Sequence, residues 1–210
     1  MVKIAPSILS VSIDKLDKEI IEVEKAGADY IHIDVMDGEF VPNKTNGLEM
    51  LKIARETTNL ILDTHLMVEY PQNWIDDFSL SNVITFHIEA VNSDTAEKII
   101  ENLKERDIKV GIAIKPNTPV EEIMPYIEKI DVVLVMLVEP GFGGQKMIEA
   151  CLDKVRAIHE LKPDIDIEVD GGVKLENVQK AKDAGANIIV AGTAIFNSED
   201  KRFVISEMKK

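Results

Sequence analysis

His32, Asp34 and Asp37 interrupt the otherwise apolar run HIDVMDG at residues 32–38. Buried charge is costly unless it is paired or bound to a cation. This run therefore has a partner, a chemical task, or both. LILDTHLMV (60–68) carries Asp63, His65 and Met67, and IEVDGG (167–172) carries Glu168 and Asp170. Alternate residues of a strand share a face. His32, Asp34 and Met36 thus lie together, as do His65 and Met67, and Glu168 and Asp170. A locally hydrogen-bonded polar pair explains H-x-D in isolation. Imidazoles and carboxylates brought together from three strands instead suit Zn²⁺, Fe²⁺, Mn²⁺ or Co²⁺. The matching strand-end positions of His65 and Asp170 favour the metal reading.

Three glycine loops point to a different chemistry. Gly141-Phe142-Gly143-Gly144, Gly171-Gly172 and Gly192-Thr193 each follow an apolar run. Glycines let backbone N–H groups close on an anion. Each loop alone could be a tight turn; three in succession favour a phosphate site.

The elements that must position these residues are short apolar runs separated by helical patterns. The runs predict eight strands: Ile4–Leu9, Tyr30–Val35, Leu60–Met67, Val83–His87, Val110–Ile114, Val132–Val138, Ile165–Val169 and Ile188–Ala191. Ile13, Leu16, Ile20 and Val23 follow the stripe of a helix lying on a sheet. TPVEE (118–122) reads as a helix start with Thr118 as N-cap, Pro119 at N1 and Glu121 at N3. Trp74 and Phe78 suit the buried stripe of a helix after Pro71, and SEDKRFVISEMKK suits a last helix covering strand 8. KAGADYI and DAGANII share one grammar, a helix closed by Gly27 or Gly185 and a strand soon after. Strand–helix alternation implies a parallel sheet with helices outside. Eight units predict an α/β fold of the (β/α)₈ TIM-barrel type in one domain, residues 1–210. An open doubly wound sheet fits less well, because APSILS after strand 1 has no G-x-G-x-x-G. In a barrel, chemistry belongs at the carboxyl ends of the strands, where all these polar residues fall.

Composition narrows the partners. Lys and Arg number 24 against 38 Asp and Glu, a formal charge of −14. That balance excludes an extended nucleic-acid or anionic-membrane surface. It permits a small anion held by backbone N–H groups. VVLVMLV (132–138) is far short of the about 20 residues that span a bilayer. With Cys151 alone and no signal-peptide pattern at MVKIAPSIL, a reducing cytoplasm is expected.

Together APSILS, HIDVMDGEFVPN, THLMVEYP, MLVEPGFGGQ, EVDGG and AGTAIF resemble the ribulose-phosphate 3-epimerases, in family order from residue 5 to 196. The resemblance implies a cytoplasmic barrel enzyme of carbohydrate metabolism and the pentose phosphate pathway, working as a homo-oligomer. It implies one divalent metal on His32, Asp34, His65 and Asp170, with Asp34 and Asp170 as the acid/base pair. It implies substrate contacts from Ser7 and His65 and a sugar phosphate among Gly141, Phe142, Gly143, Gly144, Gly171, Gly172, Gly192 and Thr193. Met36, Met67 and Met136 are similar to methionines lining the family's site. DFSLSNVITFH (77–87) departs from the family in lacking the A-G-A-D turn, NKTNGLEML (43–51) in being less apolar, and Thr193 in replacing a serine.

The implied reaction inverts C3 of D-ribulose 5-phosphate through a cis-enediolate to give D-xylulose 5-phosphate. The resemblance extends to D-allulose-6-phosphate 3-epimerases, which run the same chemistry on a hexulose. A sugar-phosphate-binding protein without turnover is a third reading, which the complete ligand set disfavours. Related phosphate-binding decarboxylases carry a Lys among the acidic residues, and HIDVMD has none. Asp37 before Gly38 reads as a turn residue. Asp63 reads as a partner for a ligand or as a plain buried hydrogen-bonding group. His87 reads as structural or as pocket wall, and Glu139 and Gln145 as loop fasteners.

Overall fold

The computed structural model describes residues 2–210. Eight strands occur where apolar runs were expected: β1 Lys3–Pro6, β2 Tyr30–Met36, β3 Ile61–Met67, β4 Val83–His87, β5 Lys109–Ile114, β6 Val132–Met136, β7 Asp166–Asp170 and β8 Ile188–Ala191. All pair in parallel in the order β1-β8-β7-β6-β5-β4-β3-β2. A parallel bridge between Ser7 and His32 brings β1 to β2 and closes the ring into a (β/α)₈ barrel. The helices are α1 Leu16–Ala26, α2 Gly47–Thr57, α3 Ser93–Glu105, α4 Leu152–Leu161, α5 Val178–Ala184, α6 Thr193–Phe196 and α7 Lys201–Lys209.

Outward residues of the strands and inward stripes of the helices form one apolar layer. Ile31, Ile33 and Val35 of β2 are buried with Met50, Leu51 and Ala54 of α2. Each Ile, Val, Leu or Met side chain among them contributes about 1.5 to 3 kcal/mol on burial. Inside the barrel, Ala5, Tyr30, Val83, Val132, Ile188 and Val190 make a separate apolar plug. The polar residues of β2, β3, β4 and β7 lie above that plug, toward the carboxyl ends.

A fourfold device fixes the strand starts. The residues entering the even strands are Asp29, Asn82, Asp131 and Asn187. Their side-chain oxygens accept from Ile4, Leu62, Val110 and Ile167 N–H at 2.8–2.9 Å. Each also donates its own backbone N–H to the carbonyl of that same residue at 2.8–3.0 Å. The A-G-A-[DN] echo is half of this pattern. Asn82 does the same work at β4 without the preceding glycine turn.

Several local expectations are corrected. β1 ends at Pro6 and gives way to a 3-10 turn at Ile8–Ser10, and β6 ends at Met136. Neither β3–β4 nor β5–β6 is joined by an α-helix; 3-10 segments at Pro71–Asn73 and Val120–Tyr126 stand there. Phe78 is buried and Trp74 half-buried without a helical stripe. Pro125 within the second segment removes a donor that an α-helix would need. Thr118 is no N-cap, because its hydroxyl is bonded to Glu89 and Pro119 takes the cap position. Ile13 is exposed, outside the buried stripe Leu16, Ile20 and Val23. α7 packs on α1, α6 and β1 rather than chiefly on β8.

Candidate active site

A cleft enclosing about 650 Å³, open solvent at its mouth included, lies at the carboxyl ends of the strands. Ser7, Asp34, Met36, Met67, Met136, Asp170 and the loops Gly141–Gly144, Gly171–Gly172 and Gly192–Thr193 all line it. His32 and His65 are fully buried beside it. Donor atoms of His32, Asp34, His65 and Asp170 lie within 4.8 Å of one another. The parallel register of β2 and β3 makes this convergence, setting Asp34 opposite His65 and Met36 opposite Met67.

The hydrogen bonds fix how each side chain faces. Ser7 Oγ donates to Asp34 Oδ2 at 2.7 Å. His32 Nδ1 is 2.6 Å from Asp63 Oδ2, and its Nε2 points toward Asp34 Oδ1, 3.4 Å away. His32 Nε2 has no hydrogen-bond partner. His65 Nδ1 lies 3.2 Å from the same Asp34 oxygen, and its Nε2 lies 2.8 Å from His87 Nε2. An orphaned, buried imidazole nitrogen beside two carboxylates and a second imidazole is the donor set of a borderline divalent cation. The residues therefore fit one metal ion.

The two cleft carboxyls titrate in opposite directions. Burial opposes ionisation of Asp34, but the neighbouring His32 and His65 outweigh it and hold Asp34 well below the usual carboxylate range. Burial and then the charge of Asp34 push Asp170 up to about 6. Burial also raises Glu168, beneath the site, helped by the charge of Asp63. Burial lowers His87 to about 4, so this imidazole is neutral at pH 7.

The glycine loops meet at the other end of the cleft. Gly172 has φ +68°, and a Cβ there would lie 2.4 Å from the Met147 nitrogen, so only glycine allows the loops after β6 and β7 to meet. Gln145 Nε2 bridges the Glu139 and Phe142 carbonyls at 2.7 and 2.9 Å, fastening the loop as its sequence position suggested.

Three features were not assigned from sequence. Glu89 bonds His87, a pairing that the spacing H-x-E in TFHIEA could have signalled. Thr45, within the unusual 43–51 segment, donates to the Asp34 carbonyl and accepts from Met36 N–H. It thereby straddles the end of β2. Lys174, Leu9, Ser10 and Val138 also line the cleft, and no spacing singles them out.

A (β/α)₈ barrel with paired carboxyls and imidazoles in its mouth defines a class: barrel enzymes equipped for proton transfer. Within that class, residues 3–196 match the model of the Ribulose-phosphate 3 epimerase family, and the chain belongs to that family. Ribulose-phosphate 3-epimerase of Schizosaccharomyces pombe is 44% identical, covering 99% of this chain and 92% of the relative. That of Bacillus subtilis is 42% identical over 100% and 99%. The chain is accordingly an epimerase. Solved structures share the fold alone. KGPDC from Streptococcus mutans superposes with a TM-score of 0.74 at 12% identity, covering 100% and 96% of the two chains. The 3-hexulose-6-phosphate synthase from Salmonella typhimurium gives 0.72 at 16%, covering 98% and 96%. No helix among the described residues is long and apolar enough to cross a membrane.

Proposed function

We propose that this chain interconverts D-ribulose 5-phosphate and D-xylulose 5-phosphate, inverting C3 by a two-base mechanism on Asp34 and Asp170. The meeting of these two carboxyls in one cleft, with donor atoms within 4.8 Å of each other, carries the reading, and their opposite shifts agree with it. Epimerisation needs one group ready to take a proton and another ready to give one. The C3–H lies α to the C2 ketone. Asp34 takes that proton, the C3–H pair becomes a C2=C3 double bond, the C2=O π pair moves onto the C2 oxygen, and a cis-enediolate forms. Asp170 returns a proton to C3 from the opposite face. The reverse direction exchanges their roles.

His32, Asp34, His65 and Asp170 would hold the metal, which supplies Lewis-acid stabilisation of developing oxyanion charge, typically several kcal/mol. Ser7 keeps Asp34 oriented through its 2.7 Å hydrogen bond. Met36, Met67 and Met136 give the cleft uncharged, polarizable walls that exclude water from the carbanion centre. The loops Gly141–Gly144 and Gly171–Gly172, with Gly192 and Thr193, take the phosphate through backbone N–H groups. Binding energy spent there orients C3 between the carboxyls. The reading takes the chain as one barrel domain of the cytoplasm; a relative 42% identical, from rice, is a cytoplasmic isoform.

The test is kcat/KM on D-ribulose 5-phosphate and on D-allulose 6-phosphate, with metal content measured on the same sample. The pentulose phosphate is the better substrate and activity tracks bound metal. A higher value on the hexulose phosphate would overturn the substrate assignment.

A further inference from the structure

Outside the four metal-facing residues, a chain of hydrogen bonds runs from His65 to the barrel rim. His65 Nε2 meets His87 Nε2 at 2.8 Å, and His87 Nδ1 meets Glu89 Oε2 at 3.0 Å. Two facing imidazole nitrogens can hydrogen-bond only if one carries the proton and the other does not. The far end of the chain decides which. Glu89 Oε1 accepts the Lys115 backbone N–H at 2.7 Å and is also bonded to the Thr118 hydroxyl. A backbone N–H can only donate, so it demands an acceptor at Glu89. Lys154 Nζ in turn ties down the Lys115 and Pro116 carbonyls at 2.8 and 2.7 Å. The Phe40 ring lies 4.9 Å from that of His87 and leaves it little room to turn.

We infer that Glu89 and His87 are positioning residues that set the tautomer of His65. Glu89 Oε2 accepts Nδ1–H of His87. His87 Nε2 is then a bare acceptor and takes Nε2–H of His65. His65 Nδ1 is left with its lone pair toward Asp34, as a metal ligand requires. The polarity of the relay is set by the Glu89 carboxylate, which can only accept, and the Lys115 N–H in the loop after β5 holds that carboxylate in place. This inference rests on the proposed metal site and adds two residues to it.

Glu89→Gln tests the relay because it preserves shape and reverses polarity. The amide oxygen is retained by Lys115 N–H, so the NH₂ group faces His87 Nδ1. His87 must then donate from Nε2, and His65 must carry its proton on Nδ1, facing the metal position. Zn²⁺ affinity of the Glu89→Gln protein therefore falls about 10- to 100-fold, the usual cost of losing a partner that orients a metal ligand. In Zn²⁺-loaded wild type, ¹⁵N NMR of the imidazoles finds His65 protonated at Nε2. His87→Phe, which ends the chain at His65, also weakens Zn²⁺ binding. Unchanged Zn²⁺ affinity in both variants, or His65 protonated at Nδ1 in the loaded wild type, would overturn the relay alone. A wild type that binds no divalent metal would overturn the metal site as well.

Discussion

Asp37 and Asp34 are the same side chain three positions apart, and their surroundings give them different work. Asp37 Oδ1 accepts the N–H groups of Glu39 and Phe40 at 2.8 and 3.0 Å, and Oδ2 accepts that of Glu69 at 2.7 Å. Partial burial opposes its ionisation, but these three N–H groups prevail and hold the carboxyl below the usual range. A carboxylate with a lowered folded pKa stabilises above its unfolded value, near 3.9, and loses that contribution as pH falls through the folded value. Asp37→Asn therefore lowers unfolding free energy by about 0.5 to 1.5 kcal/mol at neutral pH, solvent screening keeping the effect small, and urea midpoints of the two proteins converge as pH falls below about 4. A difference that stays constant into acid would contradict this. The turn role was legible in sequence because Gly38 follows Asp37. The convergence of polar groups was legible because strand alternation sorts His32 and Asp34 onto one face. The pairing of Glu89 with His87 has a local signal in H-x-E, but its bond to the Lys115 backbone, 26 residues away, has none.

At the scale of elements, the strand-start device has a measurable weight. Asn82→Ala leaves the Leu62 N–H without its side-chain acceptor and frees Arg55, whose guanidinium also donates to Asn82 Oδ1. Asn187→Ala does the same to Ile167. Each substitution costs about 1 to 3 kcal/mol in chemical unfolding. The pairs share no partner, so the double variant shows the sum of the singles; a large deviation would mean that the four sites act as one unit. The eight strands were readable because a strand buried on both faces is a continuous apolar run. The connections were less readable. Pro71 and Pro119 resemble helix starts, yet the chain passes from β3 to β4 and from β5 to β6 through 3-10 segments. Apolar spacing near three to four residues suits either helix type, and the choice is made by tertiary contacts such as that of Thr118 with Glu89.

For the whole molecule, the fold is shared with barrels only 12–16% identical, so it says little about the reaction; the cleft carries that. A net charge of −14 sets the general field against an anionic substrate. The proposed phosphate site meets this with local backbone donors at the glycine loops. Metal bound only by the folded barrel must also stabilise it. Zn²⁺ at about 100 times its dissociation constant raises unfolding free energy by about 2.7 kcal/mol. Chelation reverses the gain, and a thermal midpoint indifferent to metal would contradict the site. Proton movement at C3 by Asp34 and Asp170 is read from solvent exchange. D-Ribulose 5-phosphate is incubated in D₂O with wild-type protein, Asp34→Asn and Asp170→Asn, and deuterium at C3 is followed by NMR. Wild type incorporates deuterium and forms the epimer, while both variants lose the activity with the fold intact. Near-normal exchange in the Asp34→Asn protein would contradict the account.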